Sequence, residues 1–385
     1  MNTKPVVVFC FPDALGGVAS FNYNIINFAT LKTECYTKVI LIKSIHDNRP
    51  KICIDFKADE TIHFTFSEQE NQYFVLKRLA KLIGFEKGSL VCDNDLAIQA
   101  SNLFECQKTV FHLVHDSFYV QQALKFAELI DCTIVHSRFF KDCLLDSSNV
   151  YTNQNVHYLP YGVQQLDDFP LKQNDDKIRL VFLGRFDVQK GVDKLIEIEK
   201  ILVDKKIAAI WTIIGKGPLE DTIQKQWKAK DNVEFCHPQG VDELYALLSL
   251  QDIFILPTAF EGTPVSLIEC MSNGIVPVIT DLPGGISDIV TSDVGFKISG
   301  RVPHSFAHAI EKLNSNKSLL SDMQRIAYAK AKANFDILSK ANAFFEVFMN
   351  PDIYKSNKTK IAKLKMSMLD KWFLPNWLVK FIRGI

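Results

Sequence analysis

Short, nearly all-apolar runs recur along the chain, each followed by a polar or glycine-containing turn and then a stretch with helical spacing. Residues 6–11, 39–42, 89–92, 109–114 and 132–135 are too short for helices, and such runs bounded by turn residues read as strands. Continuous rather than alternating apolar character predicts strands buried on both faces, as in a parallel sheet covered by helices. Helical patterns follow at 16–26, opened by Gly16-Gly17, and later at 241–250 and 302–313. The alternation predicts an α/β chain built on parallel sheets. A first block closes near Tyr161-Gly162. The polar segment 163–177, with Pro170 and two Asp-Asp pairs, reads as a linker, and a second block runs from 178 to about 330.

Within the second block, Glu261 and Glu269 bracket seven residues between two apolar runs, 252–257 and 275–280, which read as a strand and its parallel neighbour. A short helix belongs between them. Thr263 suits its N-cap, Pro264 its first position and Asn273-Gly274 its stop, so its anion-attracting N-terminus points above the strand ends. Ser266 and Glu269 share one face of that helix, and Glu261 stands in the loop just before it. Both carboxylates can therefore address one ligand. A carboxylate accepts several hydrogen bonds, which matches a diol on a sugar or ribose. Glu269 sits among Val265, Leu267, Ile268, Cys270 and Met271, and carboxylates so surrounded are rarely left unpaired. Upstream, Ile178 opens an apolar run that ends in Gly184-Arg185 and continues through Lys190-Gly191 into a helical stretch reaching about Val203. Two fixed cations in such a strand-to-helix loop can neutralise a phosphate leaving group.

These two stretches, in this order, resemble the Glu-x7-Glu and Gly-Arg/Lys-Gly signatures of retaining glycosyltransferases of family 4. The resemblance runs loosely from the N-terminal Gly-Gly loop to about residue 350. It implies the GT-B architecture of two facing Rossmann-like domains with the ligand cleft between them. The implied division is an acceptor-side domain over 1–165, a nucleotide-sugar domain over 166–335, a C-terminal helix over 336–350 and a basic tail over 351–385. It also implies transfer of a sugar from a UDP- or GDP-linked donor, with retention and without a metal or other cofactor, to a glycan or lipid-linked saccharide, as in bacterial polysaccharide and lipopolysaccharide biosynthesis. Carried over residue by residue, Arg185 and Lys190 hold the diphosphate, Glu261 the donor-sugar hydroxyls and Glu269 the ribose. Gly184, Gly262, Thr263, Val265 and Gly215 complete the donor side. The amides of Gly16 and Gly17 meet a phosphate or an acceptor hydroxyl, although a tight turn alone explains them equally well. His115, at the end of the strand 109–114, joins the catalytic residues in the resemblance, near the donor sugar; a histidine satisfied by local backbone, with Asp116 as a helix cap, is the alternative.

The chain departs from that family in two places. Thr263-Pro264 replaces Phe-Gly after Glu261-Gly262, removing a backbone donor, and Phe235-Cys236-His237-Pro238 stands where a glycine often meets the base, so sugar and base stay open. A nucleotide-sugar 2-epimerase or a non-catalytic nucleotide-sugar scaffold shares the architecture. Asp93-Asn94-Asp95 offers hard oxygen ligands for a divalent metal but fits an ordinary turn better.

Formal charge is zero, which gives no nucleic-acid footprint. Nine cysteines without a Cys-x-x-Cys pair imply neither a disulfide framework nor a zinc site, and a reducing cytoplasm follows. No run of apolar residues has the length of a membrane span, and residues 5–11 are too short for a signal peptide. The neutral total hides an asymmetry. From Ile353 onward seven lysines and Arg383 face only Asp370, a net charge of +7. A helix over 358–373 would set Ile361, Leu364, Met368 and Trp372 on one face, with Trp377, Leu378, Phe381 and Ile382 beyond Pro375. Basic residues interleaved with Trp and Phe suit the inner, anionic face of a plasma membrane, while packing of the same face onto the first domain is the competing expectation.

Overall fold

The computed structural model describes residues 4–52, 55–172, 176–355 and 367–384. Among them the apolar runs become two parallel sheets. The first contains β1 (Val6–Pro12), β2 (Tyr36–Ser44), β3 (Glu60–Phe66), β4 (Gly88–Cys92), β5 (Lys108–Val114), β6 (Cys132–Val135) and β7 (Val156–Tyr158), in the order β3-β2-β1-β4-β5-β6-β7. The second contains β8 (Ile178–Leu183), β9 (Ala209–Ile214), β10 (Val233–Cys236), β11 (Ile253–Leu256), β12 (Val276–Thr280) and β13 (Phe296–Ile298), in the order β10-β9-β8-β11-β12-β13. Each sheet grows outward in one direction from its first strand and then reverses. The reversal opens a crevice above the C-terminal ends of β1 and β4 in one sheet, and of β8 and β11 in the other, where open α/β sheets bind ligands.

Burial follows the pattern read from the chain. Residues 7–11 and 253–256 are inaccessible to water because helices cover both faces of each sheet. The edge strand β3 lacks a continuous apolar run, since Thr61, His63 and Thr65 are exposed between better covered neighbours of which only Phe64 is buried. Every described cysteine is free, and most are buried as small core side chains.

The chain divides into two compact units, one of Met1–Gly162 with Ile337–Ile385 and one of Val163–Asp336. The first unit is closed by the helix Ile337–Phe348, whose Phe345 and Phe348 rings lie 5.9 and 5.7 Å from Phe9. The segment expected as a linker is anchored over its described part. Val163 N–H donates to Phe335 O, and the partly buried Lys172 ammonium donates to the carbonyls of Ser249, Gln251 and Asn273 at 3.2, 2.7 and 2.8 Å. Burial lowers the Lys172 pKa to about 8, against the pull of Asp252. Polar composition misled here because the lysine finds three carbonyls that no sequence pattern announces. The helix expected over 358–373 falls largely outside the described residues, and Met368–Asp370 within it form a short 3-10 turn.

Candidate functional site

The second sheet's switch point gathers the motif residues. Gly184 and Arg185 directly follow β8, and Glu261 follows β11, the strand hydrogen-bonded to it. Backbone approach in this region is so close that two positions accept only glycine. A Cβ on Gly215, at φ +145, would stand 1.9 Å from Gly184 O, and one on Gly191, at φ +76, would stand 2.0 Å from Pro257 O. Gly191→Ala is expected to cost roughly 2–3 kcal/mol of stability, read from denaturant unfolding. A loss under half that size would show that the loop relaxes freely.

The loop after β8 folds onto the loop after β11. Ala259 N–H donates to Gln189 O at 2.7 Å, and the Thr258 hydroxyl donates to the same carbonyl at 3.1 Å. Asp187 organises the first loop, accepting from Lys190 N–H at 2.8 Å and pairing with the Arg185 guanidinium. The Lys190 ammonium then reaches Glu261 Oε1 at 2.6 Å. Burial raises the Glu261 pKa, and Lys190 opposes the rise. Arg301 staples both loops, donating to Pro257 O at 2.7 Å and Val188 O at 2.8 Å. Asp187, Gln189 and Arg301 were not singled out in the sequence. Asp187 lay within reach of that reading, two residues from Arg185, whereas Arg301 is more than a hundred residues from the loop it holds.

Glu269 sits on the helix Val265–Ser272, on the side left partly open to solvent. No described side chain or backbone group bonds its carboxylate, and burial alone raises its pKa to about 7. The helix start differs from expectation by one residue. Pro264 is the N-cap, at φ −69 and ψ 116, one position after Thr263. Its extended ψ delays the helix to Val265, and the Thr263 hydroxyl lies against Gly285, whose N–H donates to Gly262 O at 2.8 Å. Gly262, Thr263 and Val265 therefore form the turn that carries the chain from Glu261 to Glu269.

In the first unit, His115 follows β5 and both ring nitrogens are engaged. Nδ1 lies 2.7 Å from the Tyr161 hydroxyl and Nε2 lies 3.2 Å from Asp93 Oδ2, which also accepts from Asn22 at 3.2 Å. The ring packs against Phe21, Tyr119 and His136, and burial drives the His136 pKa well down. Asp93 thus serves His115, and Asn94 caps the next helix by accepting from Leu96 N–H at 2.8 Å. Gly16 and Gly17 open the helix Gly17–Phe28, and a Cβ on either would meet open space. Packing does not demand glycine there, but the backbone of Gly16, at φ +155, favours it.

Residues 163–330 match the family model described as Glycosyl transferases group 1. Over 150 residues the chain is 31% identical to the putative colanic acid biosynthesis glycosyltransferase WcaL of Escherichia coli (strain K12), a match covering 37% of this chain and 36% of that one. The chain spans about a third of the length of the curated relatives it matches, 36%, 22% and 42% for three of them. Among solved structures, sucrose-phosphate synthase of Thermosynechococcus elongatus superposes with a TM-score of 0.72 at 14% identity, covering 90% of this chain and 98% of that chain. Anabaena Alr3699/HepE in complex with UDP and glucose gives 0.70 at 14% identity, covering 90% and 100%. At these identities the likeness is one of fold, and the two Rossmann-like halves are of the GT-B type.

Proposed function

We propose that the protein is a retaining glycosyltransferase that moves a sugar from a UDP- or GDP-linked donor to a glycan or lipid-linked saccharide, without a metal. The observation that carries this reading is the contrast between the Lys190–Glu261 pair at 2.6 Å and the unpartnered Glu269, both at the switch point of the second sheet. The group 1 match over 163–330 and the UDP held by HepE support a nucleotide-sugar donor.

The donor's ribose diol donates to the Glu269 carboxylate, relieving a charge that burial leaves without a hydrogen-bond donor. The diphosphate draws Lys190 and Arg185, and the carboxylate of Glu261 is freed to accept from donor-sugar hydroxyls. As the bond from the anomeric carbon to the phosphate oxygen breaks, charge grows on that oxygen beside two fixed cations. The acceptor oxygen bonds to the same face of the anomeric carbon. Its proton passes to the leaving phosphate, so no enzyme nucleophile is needed.

Product analysis with labelled UDP- and GDP-sugars across saccharide and lipid-linked acceptors tests the reading. A new glycoside of retained anomeric configuration is the expected result. An epimerised donor would assign an isomerase instead, and binding without turnover a scaffold. EDTA is expected to leave transfer intact, because Arg185 and Lys190 perform the electrostatic work. Loss of activity in EDTA, restored by Mn²⁺, would return Asp93 and Asp95 to consideration as ligands.

A further inference from the structure

The described tail, 367–384, is docked on the first unit in an inverted manner, with its polar side chains inward and its aromatic ones outward. Asp370 is only 4% exposed; its Oδ1 accepts from Gln72 N–H at 2.7 Å and its Oδ2 from Arg383 at 2.8 Å. Arg383 also donates to Glu70 O at 2.6 Å. Asn71 N–H donates to Asn376 Oδ1 at 2.8 Å, while the Asn71 amide donates to the carbonyls of Lys371 and Leu374 at 3.0 and 2.9 Å. Val379 is the tail's fully buried apolar contact. Trp372, Trp377 and Phe381 remain 69%, 71% and 65% exposed, and Met368, Phe373 and Ile382 are exposed beside them. On the helix Asn376–Arg383, Val379 and Arg383 take the docking face and Trp377 and Phe381 the opposite one, each pair four residues apart.

We propose that this outward face binds an anionic lipid bilayer. Charge chooses the occupant. The helix Gln72–Ile83 places Lys77 and Lys81 one turn apart on its exposed side, and with Arg78, Glu70, Phe74 and Asn376 they line an open cleft of about 420 Å³ at the start of the tail helix. Glu70 is answered by Arg78 at 2.9 Å, whereas neither Lys77 nor Lys81 has an ion-pair partner among the described residues. Lys371 and Lys380 extend the same sign along the tail. Aromatic side chains flanked by lysines suit the headgroup level of a bilayer, where the rings enter the acyl boundary and the ammonium groups meet lipid phosphates. A protein groove would face the same rings but gives no reason for a cluster of unanswered lysines. The inference stands independently of the transferase reading.

Tryptophan provides a selective probe. Trp211 and Trp227 are buried in the second unit, so a lipid-induced blue shift of emission reports Trp372 and Trp377. The full-length protein is expected to float with phosphatidylglycerol-containing vesicles and to blue-shift with them, to ignore pure phosphatidylcholine, and to release in high salt. Lys77→Glu with Lys81→Glu should weaken partition about tenfold at low salt. Trp372→Ser, Trp377→Ser and Phe381→Ser together should weaken it at least about tenfold at unchanged circular dichroism, since the docking contacts use other residues. Equal flotation of this triple variant and the parent would overturn the proposal. So would a concentration-dependent dimer that the triple variant abolishes while vesicles bind neither protein.

Discussion

Replacing Lys190 by alanine is expected to lower the turnover of sugar transfer by a hundredfold or more, about 2.7 kcal/mol at the barrier, while leaving the sheets intact. Negative charge on the diphosphate grows as the glycosidic bond breaks, so the ammonium is worth more in the transition state than in the bound donor, and kcat should fall more than KM rises. The variant also strands the Glu261 carboxylate, whose partner at 2.6 Å is gone. Burial already raises the Glu261 pKa, and without the cation it rises further. A carboxyl whose folded-state pKa exceeds its unfolded value costs nothing while both states are protonated and destabilises as pH climbs through the interval. The stability loss, about 2 kcal/mol, should therefore be larger at alkaline than at acidic pH, as measured by denaturant unfolding. Turnover within a few-fold of the parent would remove Lys190 from the chemistry.

Glu269→Gln should separate function from stability. In the folded protein Glu269 is held near pKa 7, against an ordinary value of 4.5, because burial removes water without supplying a hydrogen-bond donor. Below the ordinary value both states carry the proton and the group is neutral to folding. Between the two values the unfolded chain releases a proton that the folded one keeps, so stability falls as pH rises, by at most about 3 kcal/mol above pH 7. Glutamine lacks that ionisation. The variant should unfold at higher denaturant than the parent at pH 8 and match it at pH 4, while kcat/KM for the donor drops a hundredfold or more through KM. In the parent, nucleotide affinity should tighten as pH rises through about 7, because only the carboxylate can accept both hydroxyls of a ribose diol. A pH-independent nucleotide affinity, or a donor KM unmoved by the substitution, would detach Glu269 from the ribose.

Much of this site was legible because its logic is local. An apolar run followed by Gly184-Arg185, and two glutamates bracketing a short helix, are patterns whose meaning depends on neighbours within a dozen residues. Parallel strands buried on both faces leave continuous apolar runs, which is why β1, β4, β5, β6 and β8 could be placed nearly to the residue while the half-exposed edge strand β3 could not. Helix starts were less secure. Whether Thr263 or Pro264 caps the helix turned on the extended ψ of Pro264, a backbone angle that residue type alone does not fix.

Pairing partners lay beyond the sequence altogether. Seventy-one positions separate Lys190 from Glu261, and only the adjacency of β8 and β11 makes them an ion pair. The same holds for Arg301 across the two loops, and for Asp93, which composition offered as a metal ligand and the fold commits to His115. In the tail, the sequence specified which residues are aromatic and which are charged, but the direction each faces was decided by Asn71, Gln72 and Glu70, whose backbone groups claim Asp370, Asn376 and Arg383. Residue type and local spacing determine what chemistry is present and which element carries it. Which groups meet is decided by strand order and long-range packing, because a hydrogen bond depends on distance in space and carries no record of separation along the chain.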